Sequence, residues 1–335
     1  MYYRWKLGAA ALTLAAAMLL GGAFESAALQ QLETHSQAPS QVPADVPVQA
    51  QSETASPPGI TSGDTDLAAQ LDHQIEQWIR ALSAQDEFKS WQSARWTRHP
   101  LGAGMHGWLV LIEKNGTEVG YLIVSAAENG ELKLTEYGAG ENPLFSMRTL
   151  YRSMVQLELI DSAIDMTARH PSSSLPERIY YSPLHAVWKV ANGDGWMYID
   201  AKTGEPLPLT EQSFTSLTPY GAETAIGQTT GFSSRSIRLQ TFDPFDNTHW
   251  LTEPPLQLQS VQPLLGALAD GYPPVTFTAN LYGRTVLAPF AVTGFQESAS
   301  GSAYIRLEQE GGRYVPFDAL IAYGMFHQRP GADAT

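Results

Sequence analysis

In "DPFDNTHW", Asp243, Asp246 and His249 stand three residues apart. Oxygen and nitrogen donors at that spacing share one face of a helical turn and could meet a single metal ion. Pro244 and Asn247 pull the other way, because Asp-Pro and Asp-Asn-Thr are turn and cap sequences that need no metal. Just upstream lie Ser233, Ser234 and Ser236. With His249 and Asp246 they supply the residue types of a serine hydrolase: a hydroxyl nucleophile, an imidazole base and an orienting carboxylate. The chain has no Gly-x-Ser-x-Gly elbow to fix such a geometry. His185, between Leu184 and Val187 on an apolar run, reads as a satisfied, partly buried imidazole. His99 and His106 flank a Gly-rich turn without acidic neighbours and read as structural or surface residues. Asp200 and Glu205 read as turn formers. Cysteine is absent, which removes disulfides, thiolate metal sites and a cysteine nucleophile together. No cofactor is expected.

The elements that must position these residues begin after a long non-globular start. Arg4 and Lys6 precede Leu7–Phe24, an uncharged, mainly apolar run of 18 residues, and no Lys or Arg follows until Arg80. Residues 1–28 are therefore expected to be a membrane anchor or signal segment, oriented with the amino end in the cytoplasm and the remainder outside. Glu25 and the length of the run favour an anchor over a cleaved leader. Residues 29–66, rich in Gln, Pro, Ser and Ala, cannot bury enough apolar surface to offset their ordering entropy and are expected to be a disordered linker. The 335 residues carry a formal charge of −14, with 20 Lys plus Arg against 34 Asp plus Glu, so no basic footprint for nucleic acid exists.

Leu67, Leu71, Ile75, Trp78, Ile79 and Leu82 recur at helical spacing, predicting an amphipathic helix to about Ala84 that starts at Asp64 or Thr65. "GWLVLIEKNG", "TEVGYLIVSAAENG" and "ELKLTEYG" then predict an antiparallel meander, with Asn115-Gly116 and Asn129-Gly130 as hairpin turns. Leu150, Met154, Leu157 and Ile164 predict a second helix, and residues 178–207 two or three further strands. From Glu211 to Pro255 the chain reads as irregular. Beyond it come a short helix stopping at Gly271, three strands, a short strand and a closing helix begun near Pro316.

"WMYIDAKTGEPL" (196–207) resembles the closing strand and turn of PepSY-type modules, which accompany secreted peptidases as propeptides or inhibitors. "VGYLIVSAAENGELKLTEYG" (119–138) is similar to the prodomains of streptopain-like peptidases. Further on, "LLGALADGYPPVTFTAN", "FAVTGFQ", "AYIRLEQEGG" and "VPFDALIAYGMF" resemble, in order, the second half of papain-fold cysteine peptidases of the double-glycine-leader type. The resemblance implies an α+β fold: a PepSY-like or prodomain-like module over 67–210, a degenerate cysteine-peptidase-like domain over 211–328, and a tail over 329–335. It also implies a catalytic histidine where this chain has Ala288 or Pro289, a carboxylate or amide near Glu308 or Gln309, and an upstream Cys-Gly-Pro that is missing. Neither Ala nor Pro can move a proton.

The expectation is thus a membrane-tethered, extracytoplasmic pseudo-peptidase that binds peptide, protein or cell-envelope polymer, with Gly283, Arg284, Phe290, Phe295 and Tyr323 near its groove. Two alternatives stand beside it. One is a secreted hydrolase with a serine and His249, which requires a hydroxyl within reach of that imidazole. The other is an envelope assembly module without a ligand or groove.

Overall fold

The apolar spacing of Leu71, Ile75, Trp78, Ile79 and Leu82 builds helix α1 (Ser62–Leu82), whose buried face carries those five side chains. The computed structural model describes residues 62–102, 106–127, 129–160, 175–217, 232–246, 248–271, 273–299 and 301–328. The expected anchor and most of the expected linker lie outside these. Helix α1 starts earlier than the apolar pattern suggests, so Ser62–Asp66 belong to it rather than to the linker. Those residues carry no apolar periodicity, and the pattern marks only the part of a helix that has a face to bury. Among the described residues, no helix is long and apolar enough to cross a membrane.

A 3₁₀ segment, Asp86–Trp91, leads into strands β1 (Arg95–Pro100), β2 (Gly107–Lys114), β3 (Thr117–Ala126) and β4 (Leu132–Ala139). At the β2–β3 turn Asn115 and Gly116 both have positive φ, 54° and 78°, as a two-residue hairpin turn requires. The β3–β4 turn is longer: it closes between Ala127 and Glu131, with the Asn129 side chain accepting from the Glu131 amide. Helix α2 (Met147–Gln156) is capped by Ser146. Ile164, expected in the same helix, lies outside the described residues. Strands β5 (Glu177–Ser182), β6 (His185–Asn192), β7 (Gly195–Asp200) and β8 (Pro206–Leu207) follow, then β9 (Phe232–Arg238) and the one-turn α3 (His249–Thr252). Helix α4 (Gln262–Asp270) ends at Gly271 in the left-handed conformation, as expected. Strands β10 (Val275–Leu281), β11 (Val286–Ser298), β12 (Ala303–Glu308) and β13 (Gly312–Pro316) precede α5 (Phe317–Tyr323) and β14 (Gly324–Gln328).

The protein is α+β with antiparallel pairing throughout. One sheet runs β1-β2-β3-β4-β13-β12-β11-β10-β14, with β9 paired to β11, and a second runs β5-β6-β7-β8. The β4–β13 pairing (Tyr137↔Tyr314, Gly138↔Arg313) carries the large sheet across residue 210. The chain divides into two units, Met1–Pro58 and Gly59–Thr335, and every described residue belongs to the latter.

Three apolar clusters follow from strand alternation. Val110, Ile112, Leu122, Val124 and Leu134 pack on α1. On the opposite face, Leu109, Leu111, Tyr121 and Ile123 meet α2 and the Trp188–Ile199 face of the small sheet. The other face of that sheet, with Val187 and Tyr198, joins α4, α5 and β10–β13. Two buried arginines tie the clusters together. Arg313 pairs with Glu136 at 3.2 Å, and that carboxylate also accepts from the hydroxyls of Tyr121 (2.7 Å) and Tyr180 (3.2 Å). Arg306 binds Glu87 at 2.9 Å, joining the 3₁₀ segment to β12.

Candidate functional site

Strand β1 ends the large sheet. At the other end, β14 is covered: the Leu256 amide donates to the Phe326 carbonyl at 2.8 Å, and His327 Nδ1 lies 3.2 Å from the Glu253 carbonyl. Among the described residues, no chain pairs with the outer side of β1. Its sequence, Arg-Trp-Thr-Arg-His-Pro, is half-exposed or exposed at every position. Each second main-chain amide and carbonyl along it points away from β2, a ready template for an added strand.

Helix α1 runs beside this edge in the opposite direction. Arg98 Nε donates to Asp72 Oδ1 at 2.7 Å, while the later turns of α1 lie beside Trp96 and the residues that lead into β1. A shallow, open cleft of about 400 Å³ lies between the last turns of α1 and the Trp91–Ala94 segment that leads into β1, with Trp96 its one lining residue from the strand. Its apolar lining is Ile79, Trp91, Ala94 and Trp96, and its polar lining Glu76, Arg80, Ser83, Gln92 and Ser93. Trp91 is fixed by an indole N–H bond of 3.0 Å to the Val119 carbonyl, and Gln92 by a 2.9 Å bond to the Ser83 carbonyl. Gly120 makes room for Trp91, since a Cβ there would fall 2.5 Å from the indole ring. His99, on β1, has its pKa lowered by burial and by Arg178, so it is neutral at pH 7. An apolar lining beside an open sheet edge and a helix is an arrangement that takes extended peptide, main chain to main chain, with alternate side chains in the cleft.

No family model, no curated protein and no solved structure matches this chain.

The positions expected from the papain-like resemblance are placed elsewhere. Ala288 and Pro289 lie on β11 opposite Ala279 and Thr278 of β10. Strand β12 pairs with β11 only from Val292 onward, so Glu308 and Gln309 are not their neighbours. Both serve the buried arginines instead: Glu308 accepts from Arg306 at 2.9 Å, and Gln309 from Arg313 at 2.9 Å. The expected groove residues do not line a common surface. Gly283 and Arg284 form the exposed β10–β11 turn with φ of 62° and 73°, whereas Phe290 and Phe295 are buried in the core. Tyr323 packs edge-on against His185. The resemblance marked strand order, and strand order alone does not tell which side chains face solvent.

Asp243, Asp246 and His249 do not converge. The Asp243 carboxylate accepts from the Phe245 amide at 2.9 Å, as a turn former does. His249 is buried against β10 and β14, with no hydrogen-bond partner on either ring nitrogen among the described residues. Among the described residues, no group of His, Asp and Glu is placed to hold a metal ion. Ser236 lies on β9 opposite Gln296; the side chains of Ser233 and Ser234 are outside those described.

One Ser–His contact does exist, and its chemistry runs the wrong way for a base. His185 Nδ1 is 2.8 Å from Ser182 Oγ, and Nε2 accepts from the Tyr282 amide at 3.4 Å. Nε2 therefore holds the lone pair, Nδ1 carries the proton, and the ring donates to the serine. Burial, then the Arg313 charge, lowers its pKa to about 4. Asp200, expected as a turn former, accepts from the amides of Lys202 and Thr203, both at 2.8 Å.

Sequence reasoning passed over β1 because an edge strand exposed on both faces has no apolar alternation. The available signal was Trp96-Thr97 between the Ala94 turn and Pro100, a residue that sheets admit at edges.

Proposed function

We propose that this is an extracytoplasmic, membrane-tethered, non-catalytic protein that binds extended peptide by main-chain pairing on the free edge of β1. The supports for its setting are the apolar run after Arg4 and Lys6 and the PepSY-like turn at 196–207. The support for a scaffold without peptidase chemistry is the absence of cysteine together with Ala288 and Pro289 at the expected histidine position. Fold and chemistry separate readily in this way. The observation that carries the binding reading is the open edge of β1 lying beside the cleft lined by Ile79 and Trp96. An assembly module without a ligand has no use for that cleft.

Proline scanning tests it. Of Thr97 and Arg98, one directs its amide toward β2 and the other outward. Proline at the outward position removes one peptide bond donor and leaves the β1–β2 ladder intact; proline at the inward position weakens the fold. The expectation is that one of Thr97→Pro and Arg98→Pro keeps the wild-type melting temperature and loses peptide binding. Retained binding in the normally melting variant would refute the edge as the site.

A hydrolase reading has one supporting contact, made by His327 rather than by His249. Thr278 Oγ1 is 3.0 Å from His327 Nε2, and the Glu253 carbonyl on Nδ1 sets the tautomer that leaves Nε2 as acceptor. Covalent labelling of Thr278 by a fluorophosphonate, abolished in His327→Gln, would favour it over binding alone.

A further inference from the structure

Resting on the reading of β1 as a peptide-binding edge, we infer that the groove selects acidic peptides, in which a carboxylate lies within two residues of an apolar side chain seated on Trp96 and Ile79.

The chain carries 34 acidic against 20 basic residues, yet β1 has Arg95 and Arg98 and no acidic residue. Arg98 is held by Asp72. Arg80, in the cleft lining, and Arg95, at the start of β1, are exposed, and neither guanidinium has an ion-pair partner among the described residues. Glu113 faces Arg95 across the β1–β2 ladder, and Glu76 sits one helical turn before Arg80, so both belong to the same field. His99 adds no charge at pH 7. Arg80 lines the cleft, while Arg95, the neighbour of Trp96 on the strand, points to the opposite face of the sheet, where a residue adjacent to the one seated on Trp96 would meet it. A carboxylate on an incoming strand can reach either without displacing an existing pair. In the register that sets Arg95 opposite Arg98, the same charges oppose antiparallel pairing of β1 with a second copy of itself.

The test uses the full chain and three blocked nonapeptides of alternating Thr and Val with a central Phe, flanked by Glu, by Gln or by Lys, followed by fluorescence anisotropy. Exposed ion pairs contribute about 1.4- to 5-fold each. The expected order of affinity is Glu, Gln, Lys, with about tenfold between Glu and Lys at low salt, shrinking as salt is raised. Arg80→Gln with Arg95→Gln should erase the order, and Glu76→Gln should tighten the Glu peptide further. Equal binding of all three peptides, lost in the proline variant that melts normally, would overturn the acidic preference and leave the peptide edge standing. Binding of none, or binding indifferent to both proline variants, would overturn the edge and the preference with it. An order that persists in the double arginine variant would place the charge selection elsewhere and refute the inference.

Discussion

Acidification should destabilise the fold through His185, by an amount that its surroundings set. The ring is buried at the start of β6, between the rings of Tyr282 (4.8 Å) and Tyr323 (4.5 Å), with Ser182 on Nδ1 and the Tyr282 amide aimed at Nε2. Protonation would set an N–H against an N–H at Nε2, within reach of the Arg313 charge. Burial first, and Arg313 second, lower the pKa from 6.5 to about 4. The unfolded chain therefore takes up a proton near pH 6.5 that the folded chain refuses until about pH 4. Stability from this residue is complete above pH 6.5 and lost as the pH falls to about 4. At about 1.36 kcal/mol per pH unit, the window is worth roughly 3 kcal/mol. Burial raises the pKa of Glu118, Glu205 and Asp318, which contribute with the opposite sign over part of the same range. The difference between wild type and His185→Gln isolates the imidazole, because glutamine keeps an acceptor and cannot titrate. Urea denaturation of both, followed by tryptophan fluorescence from pH 7 to pH 4, should show the wild-type advantage shrinking by about 3 kcal/mol. Parallel curves would refute the reasoning.

Three further outcomes follow from the interior. Lys202 Nζ donates to the carbonyls of Asn142 and Glu310, and burial, then Arg313, lowers its pKa from 10.5 to about 8, so stability should rise by about 3 kcal/mol between pH 8 and 10.5. Lys202→Met should flatten that rise in alkaline urea titrations. Glu136→Ala strands Arg313 and should cost about 3–5 kcal/mol, whereas Glu136→Leu with Arg313→Met should cost at least 1 kcal/mol less than the sum of the two single changes. A Cβ on Gly294, at φ +148°, would fall 2.0 Å from the Ile237 carbonyl, so Gly294→Ala should detach β9 from β11, cost about 2 kcal/mol or more, and open residues 232–238 to limited proteolysis.

Where a segment buries one face, its sequence announces it. The spacing of Leu71 to Leu82 located α1, Asn115-Gly116 located a hairpin, and Gly271 located the end of α4. The strands that escaped are those whose partners do the burying. Strand β9, Phe-Ser-Ser-Arg-Ser-Ile-Arg, forms on β11 and carries little apolar pattern of its own. Strand β14 continues straight from α5, and its apolar residues read as more helix until the β10 edge captures them. The site escaped for a related reason. The resemblance read from the sequence drew attention to β11, whose Phe290 and Phe295 are core, while the open edge lies on β1, more than 180 residues earlier in the sequence. Openness is a property of what fails to pair, and no residue type encodes it.

Amide hydrogen exchange of the full chain, with and without the Glu-flanked nonapeptide, bears most directly on the edge as the binding site. Added protection is expected within residues 94–99 and in the facing turns of α1. Protection confined to residues 275–292, or none anywhere under saturating peptide, would contradict it.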